Sequence, residues 1–169
     1  LTDEPEEIVW HGRYIEAKRR GPWEYVSRAR GIGAAVILAI DDGYVLLVEQ
    51  WRVPLQRRCL ELPAGLVGDE IEGEAIETSA ARELEEETGY RAERIEIIGD
   101  FASSPGMVSE TFILVRAHGL TKVGDGGGVD DEDITVHRVA IAEISAFIAN
   151  QREMGVVIDV KMLSLIAYT

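Results

Sequence analysis

Glu83, Glu86 and Glu87 occur within Arg82-Glu83-Leu84-Glu85-Glu86-Glu87-Thr88-Gly89, at the three- and four-residue spacings that crowd side chains onto one side of a helix. Ala80, Ala81 and Leu84 form a neighbouring stripe suited to face a sheet, which would pin the helix and aim the acids into a cleft. Like charges four residues apart cost roughly 0.2–0.5 kcal/mol in water and more in a partly dry cleft. A bound cation removes that cost. Hard carboxylate oxygens suit Mg²⁺, with Mn²⁺ as a substitute, and Mg²⁺ completes its shell with water and substrate phosphate. An acidic cluster alone would read as a solvated face, so the residues around it have to decide.

The elements that must position these acids are legible in the pattern. Gly33 to Ile40 and Tyr44 to Val48 are apolar, β-branched runs separated by Asp41-Asp42-Gly43, a strong hairpin signal. Leu60 to Gly65 reads as a short strand ending in a turn, and a helix is predicted from about Glu74 to Thr88, stopped by Gly89. Ile95 to Phe101 and Thr111 to Ala117 read as strands around the loop Ser103-Ser104-Pro105-Gly106. Val123 to Asp133, rich in glycine and acid, reads as a mobile loop before a strand from Ile134 to Val139. Ile141 to Gln151 and Asp159 to Tyr168 have helical spacing. Ahead of all this, Ile8 to Val26 carries Trp10, Tyr14, Trp23 and Tyr25 around Gly21-Pro22, and reads as short strands joined by a turn. The expected class is α/β (α+β), with an N-terminal β appendage over residues 1–30 and a main domain over 31–169.

Composition narrows the partners. The chain has 169 residues, 46% of them apolar, enough for one core without disulfides. A formal charge of −14 argues against a nucleic-acid backbone or an anionic membrane as partner, and an acidic protein that handles phosphates needs metal ions as counter-charge. Cys59 is the only cysteine, which suits a reducing compartment and offers no thiolate zinc site. The longest apolar run, Gly33 to Ile40, is far too short to span a membrane, and Leu1-Thr2-Asp3-Glu4 is not a basic signal region. The expected location is the cytoplasm.

Around the glutamates the chain runs Gly68, five residues, Glu74, seven residues, Arg82-Glu83-Leu84, one residue, Glu86-Glu87, one residue, Gly89, Tyr90. This resembles the Nudix box in all but its last position, where an aliphatic is usual and a partly buried tyrosine ring can substitute. The resemblance runs from about Ala34 to the end. It implies a Nudix α/β/α sandwich with a mixed sheet, in which Glu83, Glu86 and Glu87 bind divalent ions that bridge a pyrophosphate and activate water. Arg82 is then a structural partner of the helix acids within the catalytic machinery, and Glu74 orients the loop. In relatives a Pro-Ala-Gly-Leu segment supplies the box glycine, whereas Pro63-Ala64-Gly65-Leu66 here comes three residues early. Either Gly68 takes the role, or Gly65 does and Gly68-Asp69-Glu70 are an insertion. The insertion reading puts a metal-binding carbonyl at Ala64.

Outside the box, Ser104-Pro105-Gly106 followed by Glu110 is similar to the signature of ADP-ribose pyrophosphatases and related nucleoside diphosphate sugar hydrolases. In the same subfamily an arginine placed like Arg52 contacts a substrate phosphate, a task suited to a planar fork. An acidic loop supplies the general base, here Glu132, with Asp131 and Asp133 as neighbours in contention. The resemblance implies hydrolysis of ADP-ribose to AMP and ribose 5-phosphate, and a homodimer formed through the N-terminal strands. GDP-mannose or another sugar nucleotide is the alternative substrate. A Nudix-like regulatory module that binds a nucleotide without turnover is the alternative class, disfavoured because a binder has no need of the costly acidic triplet.

Overall fold

The computed structural model describes residues 3–29, 33–67, 73–129 and 132–168. The alternatives Gly68 and Asp131 lie outside them, as does the proposed insertion at 68–70. Strands β1 (Glu7–His11), β2 (Ile15–Arg20) and β3 (Trp23–Arg28) form an antiparallel three-stranded sheet, with β2 and β3 joined through Gly21-Pro22. Its connection to the rest runs through β3, where Val26 donates to Met107 O and accepts from Ser109 N.

Eight strands form the main sheet: β4 (Gly33–Asp41), β5 (Tyr44–Arg52), β6 (Arg57–Glu61), β7 (Ala64–Val67), β8 (Tyr90–Ala102), β9 (Thr111–Lys122), β10 (Thr135–Ala140) and β11 (Val157–Ile158). The hairpin between β4 and β5 closes as expected, with Asp42 and Gly43 both at positive φ, the geometry that matches strand twist. β4 runs parallel to β9 and antiparallel to β7, so the sheet is mixed.

Residues Ala35 to Ala39 of β4 are buried on both faces because helices cover the sheet on both sides. On one face, helix α1 (Ile76–Thr88) seats Ala80 and Leu84 against Ala35, Ile37, Leu46, Val115 and Ala117. On the other, Val36, Leu38, Leu47, Leu60 and Leu114 pack with Met162, Leu165 and the apolar side of α2 (Ile144–Glu153). This is the three-layer sandwich expected from the sequence. No helix among the described residues is long and apolar enough to cross a membrane.

Several element bounds differ from expectation. α1 starts at Ile76 rather than Glu74, since Ala75 is extended. β8 begins directly after Gly89, because Tyr90 pairs with Lys122 and the ladder starts at the helix end. The C-terminal segment is a 3-10 turn over Val160–Ser164 followed by the short α3 (Leu165–Tyr168), not a helix from Asp159.

The glycine-rich segment after β9 also departs from a free loop. Val123 and Gly124 donate to Gly89 O, Gly127 to Glu87 O and Gly128 to Glu86 O, so the segment caps the carbonyl end of α1. A Cβ on Gly126, which has φ +71, would lie 2.4 Å from the Thr88 carbonyl carbon. Only glycine permits that approach. We expect Gly126→Ala to lower stability by about 1–3 kcal/mol, measured by denaturant unfolding; an unchanged midpoint would mean that the cap carries no load.

Candidate active site

Stitching the Pro63-Ala64-Gly65 turn onto β4 builds the floor of a cleft. Ile37 N–H donates to Pro63 O, and Ala64 and Gly65 pair with Val36 and Ala35. α1 lies against this floor, tied at its start by Ser79 Oγ donating to Leu66 O at 3.3 Å. The cleft has a volume of about 460 Å³ and brings together Glu83, Glu86 and Glu87 of α1, Arg82, Ala64 and Gly65, Arg52, Glu110 and Glu132. Chain segments far apart in sequence therefore deliver most of the expected site residues to one place.

Glu87 is buried, and its Oε2 accepts the Ala64 N–H at 3.0 Å. Burial pushes its carboxyl up to about 8; the Ala64 bond and Arg52 oppose the rise, while Glu83 and Glu132 add to it. Glu83 rests on Gly65 so closely that a Cβ there would stand 2.0 Å from its carboxyl carbon. That contact gives Gly65 a steric reason to be glycine. Arg82 gathers the remaining acids, lying 3.1 Å from Glu83, 3.0 Å from Glu86 and 3.6 Å from Glu74. Arg82 therefore pairs with the helix acids and reaches back to Glu74, the residue expected from the sequence to orient the loop.

The donor set fits a hard divalent cation: three carboxylates of α1 beside the backbone of Ala64, one of them raised by burial above its usual pKa, a cost that a bound cation would offset. As they stand, no three acids among the described residues converge as a finished cage, since Arg82 draws Glu83 and Glu86 to itself. Cys59 offers no competing chemistry, because burial pushes its thiol up to about 12.

The outlying residues are placed unevenly. Arg52 lines the cleft, but its Nε and Nη2 form a two-pronged bond to Glu61 at 2.6 and 2.7 Å. Glu110 pairs with Arg28 at the end of β3. Pro105 is exposed in its turn and does not line the cleft; the turn, closed by Met107 and Val108 N–H on Ser104 O, instead leads the chain along β3 to Glu110. Glu132 lines the cleft with Oε2 accepting Val129 N–H at 3.1 Å, whereas Asp133 is held by Arg58 at 2.8 Å and is not a lining residue. Trp10, Tyr14, Trp23 and Tyr25 do not line the cleft; Phe112, stacked on Phe101, does.

Sequence reasoning missed Arg28, Glu61, Phe112 and Lys161 among the lining residues. Only Glu61 left a signal, as a charge between the strand leucines Leu60 and Leu62.

Residues 29–159 match the NUDIX domain model, so the chain belongs to the Nudix family and is a Nudix hydrolase. It is 34% identical to an ADP-ribose pyrophosphatase of Bacillus subtilis, over 80% of this chain and 71% of that one. A GDP-mannose pyrophosphatase of Yersinia enterocolitica is also 34% identical, over 82% and 73%. A methanol dehydrogenase activator of Bacillus methanolicus is 37% identical over 79% and 72%. The solved structure of an ADP compounds hydrolase superposes with a TM-score of 0.72 at 20% identity, covering 97% of this chain and 90% of that one, and shows the same fold.

The raised Glu87 has a stability consequence with a definite sign. Its carboxyl titrates near 4.5 when unfolded and near 8 when folded, so the folded state binds the extra proton and metal-free stability falls as pH rises from 4.5 to 8. The cost is on the order of 5 kcal/mol above pH 8. We expect Glu87→Gln to raise the metal-free Tm at pH 8.5 but not at pH 4, read by scanning calorimetry in EDTA; equal shifts at both pH values would refute the assignment.

Proposed function

We propose that the chain hydrolyses the pyrophosphate bond of a nucleoside diphosphate sugar, with ADP-ribose, giving AMP and ribose 5-phosphate, as the foremost substrate. The observation that carries this reading is that one cleft joins the glutamates of α1 to Arg52, Glu110 and Glu132, residues contributed from outside the box helix. The pyrophosphatase names of two relatives, one for ADP-ribose and one for GDP-mannose, support the substrate class.

Mg²⁺, or Mn²⁺ in its place, would be held by Glu83, Glu86 and Glu87 with the carbonyl of Ala64. When bound, the ion neutralises pyrophosphate oxygens and acidifies water. Arg82 keeps Glu83 and Glu86 together on α1 until they are needed. Arg52, with two donors committed to Glu61, has Nη1 left for a phosphate oxygen. Glu132 is the general base, taking the proton of the attacking water on Oε1 while Oε2 stays on the Val129 N–H. Glu110 and Arg28 bound the far side of the cleft, with Pro105 acting through the turn that places Glu110. Phe112 offers a ring for the nucleobase or sugar.

The active form is a homodimer in the cytoplasm. The N-terminal sheet exposes Ile8, Val9, Trp10, Tyr14, Ile15 and Trp23, more apolar surface than an isolated small sheet carries without a partner. Light scattering should return twice the 18.6 kDa of the chain. A monomeric mass would remove the dimer.

The function is tested by incubating the protein with Mg²⁺ and ADP-ribose, ADP-glucose, GDP-mannose, NADH, diadenosine polyphosphates or dNTPs and identifying products. ADP-ribose should give AMP and ribose 5-phosphate, and Glu86→Gln should lower kcat by roughly two orders of magnitude or more with an unchanged circular dichroism spectrum. Tight binding without turnover of any member would sink the enzyme reading, and preferred cleavage of GDP-mannose would replace the substrate.

A further inference from the structure

Lys161 lines the cleft from the 3-10 turn Val160–Ser164, the only such residue from the C-terminal end of the chain among the described ones. It falls beyond residue 159, where the match to the family domain stops. Its side chain is 20% exposed, so the aliphatic stem is packed and the ammonium is directed by its surroundings. The position is fixed by Asp159. That residue donates its N–H to Leu60 O at 3.0 Å, accepts the Lys161 N–H on Oδ1 at 2.6 Å, and holds the Lys161 ammonium on Oδ2.

An ammonium has three donors. Asp159 is its side-chain partner among the described residues and occupies one of them. Leu60, on which Asp159 is anchored, precedes Glu61, the partner of Arg52, so Arg52 and Lys161 are borne by the same part of the sheet. The helix side of the cleft carries the acids Glu83, Glu86 and Glu87, and an anion seated against them through a cation needs positive charge elsewhere around it. Arg52 has spent two of its five donors on Glu61 and Lys161 one of its three on Asp159, so both keep donors for a phosphate.

We propose that Lys161 is a substrate-binding residue whose ammonium donates to a phosphate oxygen of the bound nucleoside diphosphate, with Asp159 as the positioning residue that holds it there. This rests on the pyrophosphatase reading of the cleft. It makes the C-terminal turn, outside the matched domain, part of the binding site. The contact is present in the ground-state complex, so its loss acts on KM before kcat.

The test compares ADP-ribose hydrolysis by the wild type with Lys161→Met, Asp159→Asn and Lys122→Met, the last making the same charge change on an exposed strand end. Lys161→Met should raise KM about tenfold or more, the usual scale for a charge-assisted bond, with kcat little changed. Lys122→Met should leave KM near the wild-type value, and Asp159→Asn should raise it by less than Lys161→Met does, since Asn still caps the turn but holds the ammonium less firmly. An unchanged KM for Lys161→Met, or an equal rise in Lys122→Met, would overturn the proposal by reducing Lys161 to a structural ion pair or a general charge effect. A second measurement uses the unmodified protein and does not depend on turnover. The chain's lysines are Lys18, Lys122 and Lys161, and saturating AMP with Mg²⁺ should protect Lys161 alone from an amine-reactive label. Equal labelling of Lys161 with and without AMP would also overturn it. A wild type that cleaves no sugar nucleotide, yet shows AMP protection at Lys161, would instead remove the pyrophosphatase reading and leave the phosphate contact standing.

Discussion

The structure turns on a carboxylate that should not be where it is. Glu87 sits in the interior between α1 and the floor of the cleft, with one backbone N–H for support and other acids nearby. Desolvation disfavours its charge more than the Ala64 bond favours it. Everything around it answers that problem. Leu84 and Ala80 clamp α1 to the sheet so that the helix cannot roll the acid into water. Pro63 O holds the floor strand to β4, and Arg82 binds the companion acids Glu83 and Glu86, of which Glu83 still adds its repulsion to Glu87.

The two ends of α1 are held by different means. At its start, Ser79 reaches Leu66 O, and Arg82 ties Glu74 to the acids one turn on. At its end, the carbonyls of Glu86 and Glu87 receive the N–H groups of Gly128 and Gly127. Those carbonyls belong to the same residues whose side chains line the cleft, so the loop leading toward Glu132 is registered to the acids through the backbone. Past Glu132, Asp133 is anchored on Arg58.

Much of this was legible in the sequence where local pattern and tertiary role coincide. The hairpin at Asp42-Gly43, the buried run of β4 and the acidic face of α1 are each specified by neighbours in the chain. The docking of the glycine-rich segment was not, because glycines that permit a flexible loop and glycines that permit a close approach look alike in a sequence. Arg28 and Lys161 were equally invisible: each is a charged residue in an unremarkable context, and only the folding of β3 and the C-terminal turn brings them to the cleft. Pro105 stood out as a motif and yet is exposed, because its turn works on the residues that follow it.

Each of Arg28, Arg52 and Lys161 already has its own carboxylate, in Glu110, Glu61 and Asp159. The cleft thus sends little positive field into the solvent, and the chain as a whole carries −14. A polyanionic ligand approaching it is not drawn in by long-range attraction, as at a basic nucleotide site, but must diffuse up a repulsive potential and exchange ion pairs on arrival. Added salt screens that repulsion. Encounter should then quicken with moderate ionic strength, and discrimination among ligands should reside in how slowly the right one leaves.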